Sequence, residues 1–234
     1  MKHRRKLTSV LLTLALLLAL APALGGTAKA ALGTGKLYVG GTDIVDDGDH
    51  TVNGTTGTAT LTYEDGKPVL TLNSFTYEGA GQFGAAINYQ GNPDDGDPPL
   101  TIKLEGTNAV TSTGVNTSTD YYSAGIYSIQ SLTINGTGTL TATGGSTQVG
   151  YSYGIYCHGN LTISGCKVYA YGGKVTGETA NNRSYGICAD GADLTISDNA
   201  KVYAYGGDVG GGTGGEASDI IRGSYGISCA PGLY

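Results

Sequence analysis

Four segments of this chain open with the same tripeptide: Leu100-Thr101-Ile102, Leu132-Thr133-Ile134, Leu161-Thr162-Ile163 and Leu194-Thr195-Ile196, at intervals of 32, 29 and 33 residues. Each copy has the same neighbours. Upstream lies a small residue followed by Ile (Ala86-Ile87, Gly125-Ile126, Gly154-Ile155, Gly186-Ile187, Gly226-Ile227). Downstream comes an alternating segment ending in Gly: AVTSTG, TLTATGG, KVYAYGG and KVYAYGG again. Turn-forming pairs such as Asn135-Gly136, Ser164-Gly165 and Asp198-Asn199 separate the segments. A period of about 30 residues that holds three short strands and no helical periodicity is what one coil of a β-solenoid requires, each coil pairing in parallel with the last at about 4.8 Å. The composition agrees. Gly makes up 41 of 234 residues without the every-third spacing of collagen. Gly, Thr, Ser, Asn and Tyr displace the Glu, Lys, Met and Arg that helices favour, which argues against a helical bundle or an alternating α/β enzyme. The expected fold is all-β, a parallel β-helix with three short strands per coil.

Alternation assigns the faces. Aligning the third strands by apolar character puts Val110, Leu140, Val168 and Val202 in one inward column and Ser112, Ala142, Ala170 and Ala204 in the next. The outward columns are then Thr111/Thr141/Tyr169/Tyr203 and Thr113/Thr143/Tyr171/Tyr205. The opposite register would expose Val and Leu and bury four Tyr hydroxyls without partners. Insertions at residues 174 to 183 and 208 to 222 are expected to emerge at one corner of successive coils.

Residues 36 to 80 do not fit the repeat. Leu37-Tyr38-Val39-Gly40 reads as a strand, and the segments 58–63 and 68–72 flank Glu64-Asp65-Gly66-Lys67 as a hairpin. A first coil has an unpaired edge, and an atypical terminal segment covers it. The layout expected is a signal segment at 1–30, an N-terminal β cap at 31–84 and coils at 85–234. After Ser224-Tyr225-Gly226-Ile227 the next L-T-I strand is missing, so the sequence reads as a fragment of a longer protein.

MKHRRK supplies a basic start, residues 10 to 24 an apolar run, and Ala28-Lys29-Ala30 a small-x-small cleavage site, the pattern of a secretory signal. A bacterial protein that is secreted or held at the cell surface is expected, with no membrane span once the signal is removed. Cleavage leaves 8 Lys and Arg against 19 Asp and Glu, a mature net charge of −11. Such a chain lacks the clustered cations that hold nucleic acid or an anionic membrane.

LYVGGTDIV, the LTYEDGKPVLTLNSFTY hairpin, the PLTIKLEGTNAVTS coil and the repeated YGI and KVYAYGG coils resemble the secreted carbohydrate-binding β-helix proteins of clostridia and related Firmicutes. The resemblance covers residues 36 to 234. It implies a right-handed parallel β-helix that binds acidic plant or cell-wall polysaccharide and calcium, without catalysis.

From the residues themselves, a binding face rests on Tyr. Successive coils place Tyr169 over Tyr203 and Tyr171 over Tyr205 at about 4.8 Å. Rings with hydroxyl tips cover the apolar face of a sugar and donate to its oxygens. Stacked aromatic pairs also simply stabilise a sheet. A second column, Tyr153, Tyr185 and Tyr225, is expected to pack beneath the long loops. Acidic clusters at Asp43, Asp46, Asp47 and Asp49 and at Asp94, Asp95 and Asp97 have the carboxylate density for Ca²⁺ but not the spacing of an EF-hand, and a solvated acidic loop gives the same pattern.

Cys157 and Cys229 fall in one inward column with Ser128 and Ala189, two coils apart and beyond bridging distance, while Cys188 aligns with outward Tyr156. The four cysteines, with Cys166, are therefore expected to be mostly free thiols serving as small core residues. A catalytic set is not legible. Arg183 and Arg222 recur before S-Y-G, and Asp190, Asp193 and Asp198 lie in turns, but no carboxylate pair recurs across coils as a glycoside hydrolase or a Ca²⁺-dependent polysaccharide lyase would need. His50 and His158 stand apart in the sequence. Two readings remain: a secreted module that binds polysaccharide or cell-wall glycan through Tyr169, Tyr171, Tyr203 and Tyr205, or a surface stalk or adhesin spacer whose function lies in a missing C-terminal part.

Overall fold

The computed structural model describes residues 32–44, 50–114, 122–177, 182–191, 193–210 and 223–230. The signal segment, Asp46, Asp47, Asp49, Arg222 and the insertion residues 178–181 and 211–222 lie outside the described residues. The strands are β1 (Leu37–Val39), β2 (Thr42–Ile44), β3 (His50–Asn53), β4 (Thr56–Glu64), β5 (Lys67–Gly79), β6 (Ala85–Tyr89), β7 (Leu100–Glu105), β8 (Thr107–Ser112) and β9 (Tyr122–Ser128). They continue as β10 (Leu132–Gly136), β11 (Thr139–Thr143), β12 (Tyr151–Cys157), β13 (Leu161–Ser164), β14 (Lys167–Tyr171), β15 (Arg183–Asp190), β16 (Leu194–Ser197), β17 (Lys201–Tyr205) and β18 (Gly223–Ala230).

Three parallel ladders run the length of the molecule. The L-T-I strands stack as β7, β10, β13 and β16, the third strands as β8, β11, β14 and β17, and the strands around G-I as β6, β9, β12, β15 and β18. This is the β-solenoid that the 30-residue period predicts. The L-T-I register holds in every copy, Leu100 on Leu132, Leu132 on Leu161 and Leu161 on Leu194. Leu and Ile of β7, β10 and β13 fill the bore with Val110, Leu140, Val168, Ile126, Ile155 and Ile187.

The cap joins this stack through one long strand. β4 and β5 form the expected hairpin, Glu64 opposite Lys67 around Asp65-Gly66 with φ of 50° and 76°, the left-handed pair that a two-residue hairpin loop with right-handed twist requires. β5 then pairs in parallel with both β7 and β8. It bends between the two faces at Ser74, where φ is +50°, level with the Gly106 corner of the next coil. β5 thus belongs to the cap through β4 and to the solenoid through β7 and β8. β1, antiparallel to β6, extends the other sheet to β2 at its edge.

The third-strand alignment differs from the expected one by two residues. Leu140 pairs with Asn108 and Ala142 with Val110, so Thr141 lies over Ala109 and Thr143 over Thr111, while Thr113 falls beyond β8. The ladder passes the corner with the same 32-residue offset as the L-T-I strand before it. Matching by apolar type failed because a polar residue occupies a core column. Asn108 is fully buried, and its amide serves the corner backbone: Oδ1 accepts the Phe75 N–H at 2.8 Å, and Nδ2 donates to the Glu105 and Thr139 carbonyls at 3.1 and 3.3 Å. A shift of two preserves parity, so the inward and outward faces stand as expected.

The S-Y-G-I motif builds the second corner. The Ser152 hydroxyl donates to the Gly145 carbonyl at 2.8 Å and accepts the Gly173 N–H at 2.7 Å, and Ser184 does the same between Gly173 and Gly207, both at 2.8 Å. Each serine therefore ties together glycines of successive coils. Beside it the backbones nearly touch. A Cβ on Gly154 would lie 2.5 Å from the Tyr171 nitrogen and 2.6 Å from the Gly186 oxygen, so only glycine lets these strands approach. At the next corner Thr147, Val175 and Val209 stack as single parallel bridges, which places the starts of both long insertions at one edge, as expected.

Candidate tyrosine ladder and belt

The outward side of β14 and β17 carries the four tyrosines singled out from the sequence, and the structure brings them together. Lys167, Tyr169 and Tyr171 pair with Lys201, Tyr203 and Tyr205. The ring centroids of Tyr169 and Tyr203 are 5.0 Å apart with planes 17° from parallel, and those of Tyr171 and Tyr205 are 5.3 Å apart at 10°. Strand side chains stand off the sheet and lean along the strand, so the rings stack face on face along the solenoid. Flat faces opening to solvent, as the sequence reading pictured, are therefore not what each pair presents. Between partners the faces cover each other, and what the ladder offers outward is rims and hydroxyls. Tyr203 and Tyr205 are 40% and 52% exposed.

A cation, unforeseen from the sequence, belongs to this site. The Lys167 ammonium lies 4.7 Å from the Tyr169 centroid and 5.6 Å from that of Tyr203. The one ammonium is thus shared by both members of the stacked pair. A hydrogen bond with Tyr169 holds the lysine pKa above its ordinary value. Its signal was the K-V-Y-A-Y alternation itself, which sets Lys two residues before Tyr on the same face.

The second tyrosine column is part of a larger belt on the outer side of the G-I ladder. Tyr122 stacks on Tyr127 at 4.2 Å, Tyr127 on Tyr156 at 4.6 Å, Tyr153 on Tyr185 at 5.4 Å and Tyr185 on Tyr225 at 5.0 Å. Tyr153 meets Tyr156 at 4.9 Å and Tyr151 at 5.9 Å, which joins the two runs. Tyr153 and Tyr185 are buried with Cys188, Ala85 and Ala124. The partners of this column are thus other tyrosines of the S-Y-G-I-Y motif. Burial, followed by the nearby Cys188 thiol, drives the Tyr153 pKa far above its usual value, and burial together with Tyr127 and Asp190 raises that of Tyr156. The Tyr156 hydroxyl donates to Asp190 at 3.2 Å.

The remaining candidates disperse. Asp97 ties the cap down, accepting the Thr34 N–H at 2.7 Å and the Asn92 N–H at 2.8 Å, while Asp94 and Asp95 lie in a 3-10 turn capped by Asn92. Among the described residues no group of three or more His, Cys, Asp or Glu converges as a metal site. Asp198 accepts from Ser164 of the neighbouring coil and from the adjacent Ser197, which lowers its pKa. Arg183 heads β15 and bonds Tyr185. All four cysteines are free, and Cys157, Ala189 and Cys229 share the expected column. Cys157, Cys166 and Cys188 are buried core residues, Cys188 within the tyrosine belt, while Cys229 is exposed. This corrects the expectation of a small core residue for Cys229. Burial pushes the Cys157 and Cys188 thiols up to about 12.

Fold and surface together define a capped parallel β-solenoid that carries a tyrosine ladder. No family model, curated protein or solved structure matches the chain.

Proposed function

We propose that this chain is a secreted or cell-surface polysaccharide-binding module, with Tyr169, Tyr171, Tyr203 and Tyr205 as its contact residues. The observation that carries the reading is the change of side chain in two neighbouring outward columns. Coils that present Ala109, Thr111, Thr141 and Thr143 give way to coils that present four stacked tyrosines with Lys167 over one pair. The resemblance of the coils to clostridial carbohydrate-binding β-helix proteins supports the same reading. Rigid aromatic rings with hydroxyl tips bind sugars at low conformational cost. An acidic glycan is expected to need a bridging cation such as Ca²⁺, because a mature chain of net charge −11 repels a polyanion.

The test replaces all four tyrosines by Thr, the residue native to the same columns at Thr111, Thr141 and Thr143. Retention on insoluble glycans, pectin-like and neutral, should fall severely, while stability falls by only about 0.2–1 kcal/mol per lost ring pair. Unchanged retention of the variant would move the site elsewhere. No retention of the wild type would favour the spacer reading, in which the stacked rings only stiffen the sheet.

A further inference from the structure

The tyrosine ladder has an abrupt inner end. Each ring of β17 lies on a ring of β14, but on their other side Tyr169 and Tyr171 are in register with Thr141 and Thr143. One face of each β14 ring is stacked, and the opposite face looks across a short side chain. The next coil inward is shorter still, with Ala109 under Thr141 and Thr111 under Thr143. The result is a step whose floor is two coils, or roughly 9.6 Å, wide along the solenoid axis. Its wall is the two ring faces and its floor is Ala109, Thr111, Thr141 and Thr143. The first coil bounds its far side, where Thr76 pairs with Ala109 and exposed Glu78 with Thr111.

We propose that a glycan chain sits in this step, running along the strand direction with successive pyranose rings against Tyr169 and Tyr171. This rests on the polysaccharide reading above and locates the ligand within it. The ring spacing of 5.0 and 5.3 Å within the ladder equals one coil of solenoid, so a sugar ring stacked at similar separation occupies the space over Thr141 or Thr143 as the next member of the stack. The apolar C–H face of a pyranose matches the wall, the Thr hydroxyls offer partners to its hydroxyls, and the Lys167 ammonium lies 4.7 Å from the Tyr169 centroid. The ring faces between β14 and β17 are already covered by each other, and although Tyr203 and Tyr205 are more exposed, no described strand lies beyond β17 to give their outer faces a floor.

The two placements give opposite predictions for one variant. Thr141→Leu with Thr143→Leu covers the faces of Tyr169 and Tyr171 that look over the step and offers no new aromatic wall, while all four tyrosines stay in place. Thr133→Leu with Thr162→Leu makes the same change in the L-T-I ladder, away from the step. Affinity electrophoresis on mixed-linkage β-glucan, glucomannan and polygalacturonate identifies the glycan that retards the wild type most, and both variants are then compared on it. The expected result is a loss of roughly tenfold or more for T141L/T143L, the scale of two ring contacts, with T133L/T162L within about twofold of wild type. Equal or tighter binding by T141L/T143L, or an equal loss in T133L/T162L, overturns the step while leaving the ladder reading in place. Absence of retardation of the wild type by all three glycans overturns both. Both variants should keep their β circular dichroism and melting temperature. If T141L/T143L does not, Thr141→Leu and Thr143→Leu are tested singly, and undiminished binding by both overturns the proposal.

Discussion

Asn108 shows how one side chain can make a residue column look misaligned. The column to which it belongs continues as Leu140, Val168 and Val202, and nothing in an apolar pattern recommends an amide there. Its three bonds to Phe75, Glu105 and Thr139 satisfy backbone groups at the corner where the cap strand hands over to the coils. Asn108→Ala should cost roughly 2–4 kcal/mol, from the cavity and the unpaired backbone groups together. Asn108→Leu restores the apolar column but strands the Phe75 N–H, and should still cost about 1–3 kcal/mol. Urea denaturation of both variants checks this, and a Leu variant as stable as wild type would show the amide to be dispensable.

At the level of the strand, the belt on β9, β12, β15 and β18 links packing to pH. Tyr153 and Tyr156 have folded pKa values raised by burial, while in the unfolded chain a tyrosine ionises near 10. Below pH 10 both states hold the proton, and the stability from burying the neutral phenol is fully present. Above pH 10 the unfolded state releases protons that the folded state retains, so stability falls as pH rises, by about 1.4 kcal/mol per pH unit for each tyrosine held protonated. Phenolate absorbance near 295 nm should show a fraction of tyrosines silent until the fold is lost, and Tyr153→Phe should flatten the decline. A smooth titration of all tyrosines near pH 10 with the far-UV spectrum intact would contradict the burial. The alternation of these strands was legible, but the belt was not. Tyr122 and Tyr127 lie five residues apart on β9 and meet at 4.2 Å, a contact that no strict period-two reading brings together.

At the scale of the whole stack, the two ends differ among the described residues. One is covered by the β3, β4 and β5 strands and by β1 and β2, while at the other Ile196 and Ile227 are 46% exposed and Tyr225 37%. In a solenoid each coil is held only by its neighbours, so a coil with one neighbour opens at lower free energy than one with two. Amide hydrogen exchange should therefore be slowest in β7, β10 and β13 and their partners and fastest in β16, β17 and β18. Uniform protection along the axis would show that the terminal coil is held by something besides its neighbour.

By itself the sequence determined the period, the strand faces, the hairpin turn at Asp65-Gly66, the L-T-I register and the pairing of Tyr169 with Tyr203 and Tyr171 with Tyr205. All of these follow from local alternation and from near-identical repeats, whose copies must stack on one another. Only the tertiary structure decided the two-residue shift at Asn108, the serine–glycine ties at the corner, the position of Lys167 and the direction in which the rings face. Those depend on how backbones approach across a corner and how side chains lean once stacked, and a one-dimensional pattern carries neither distance.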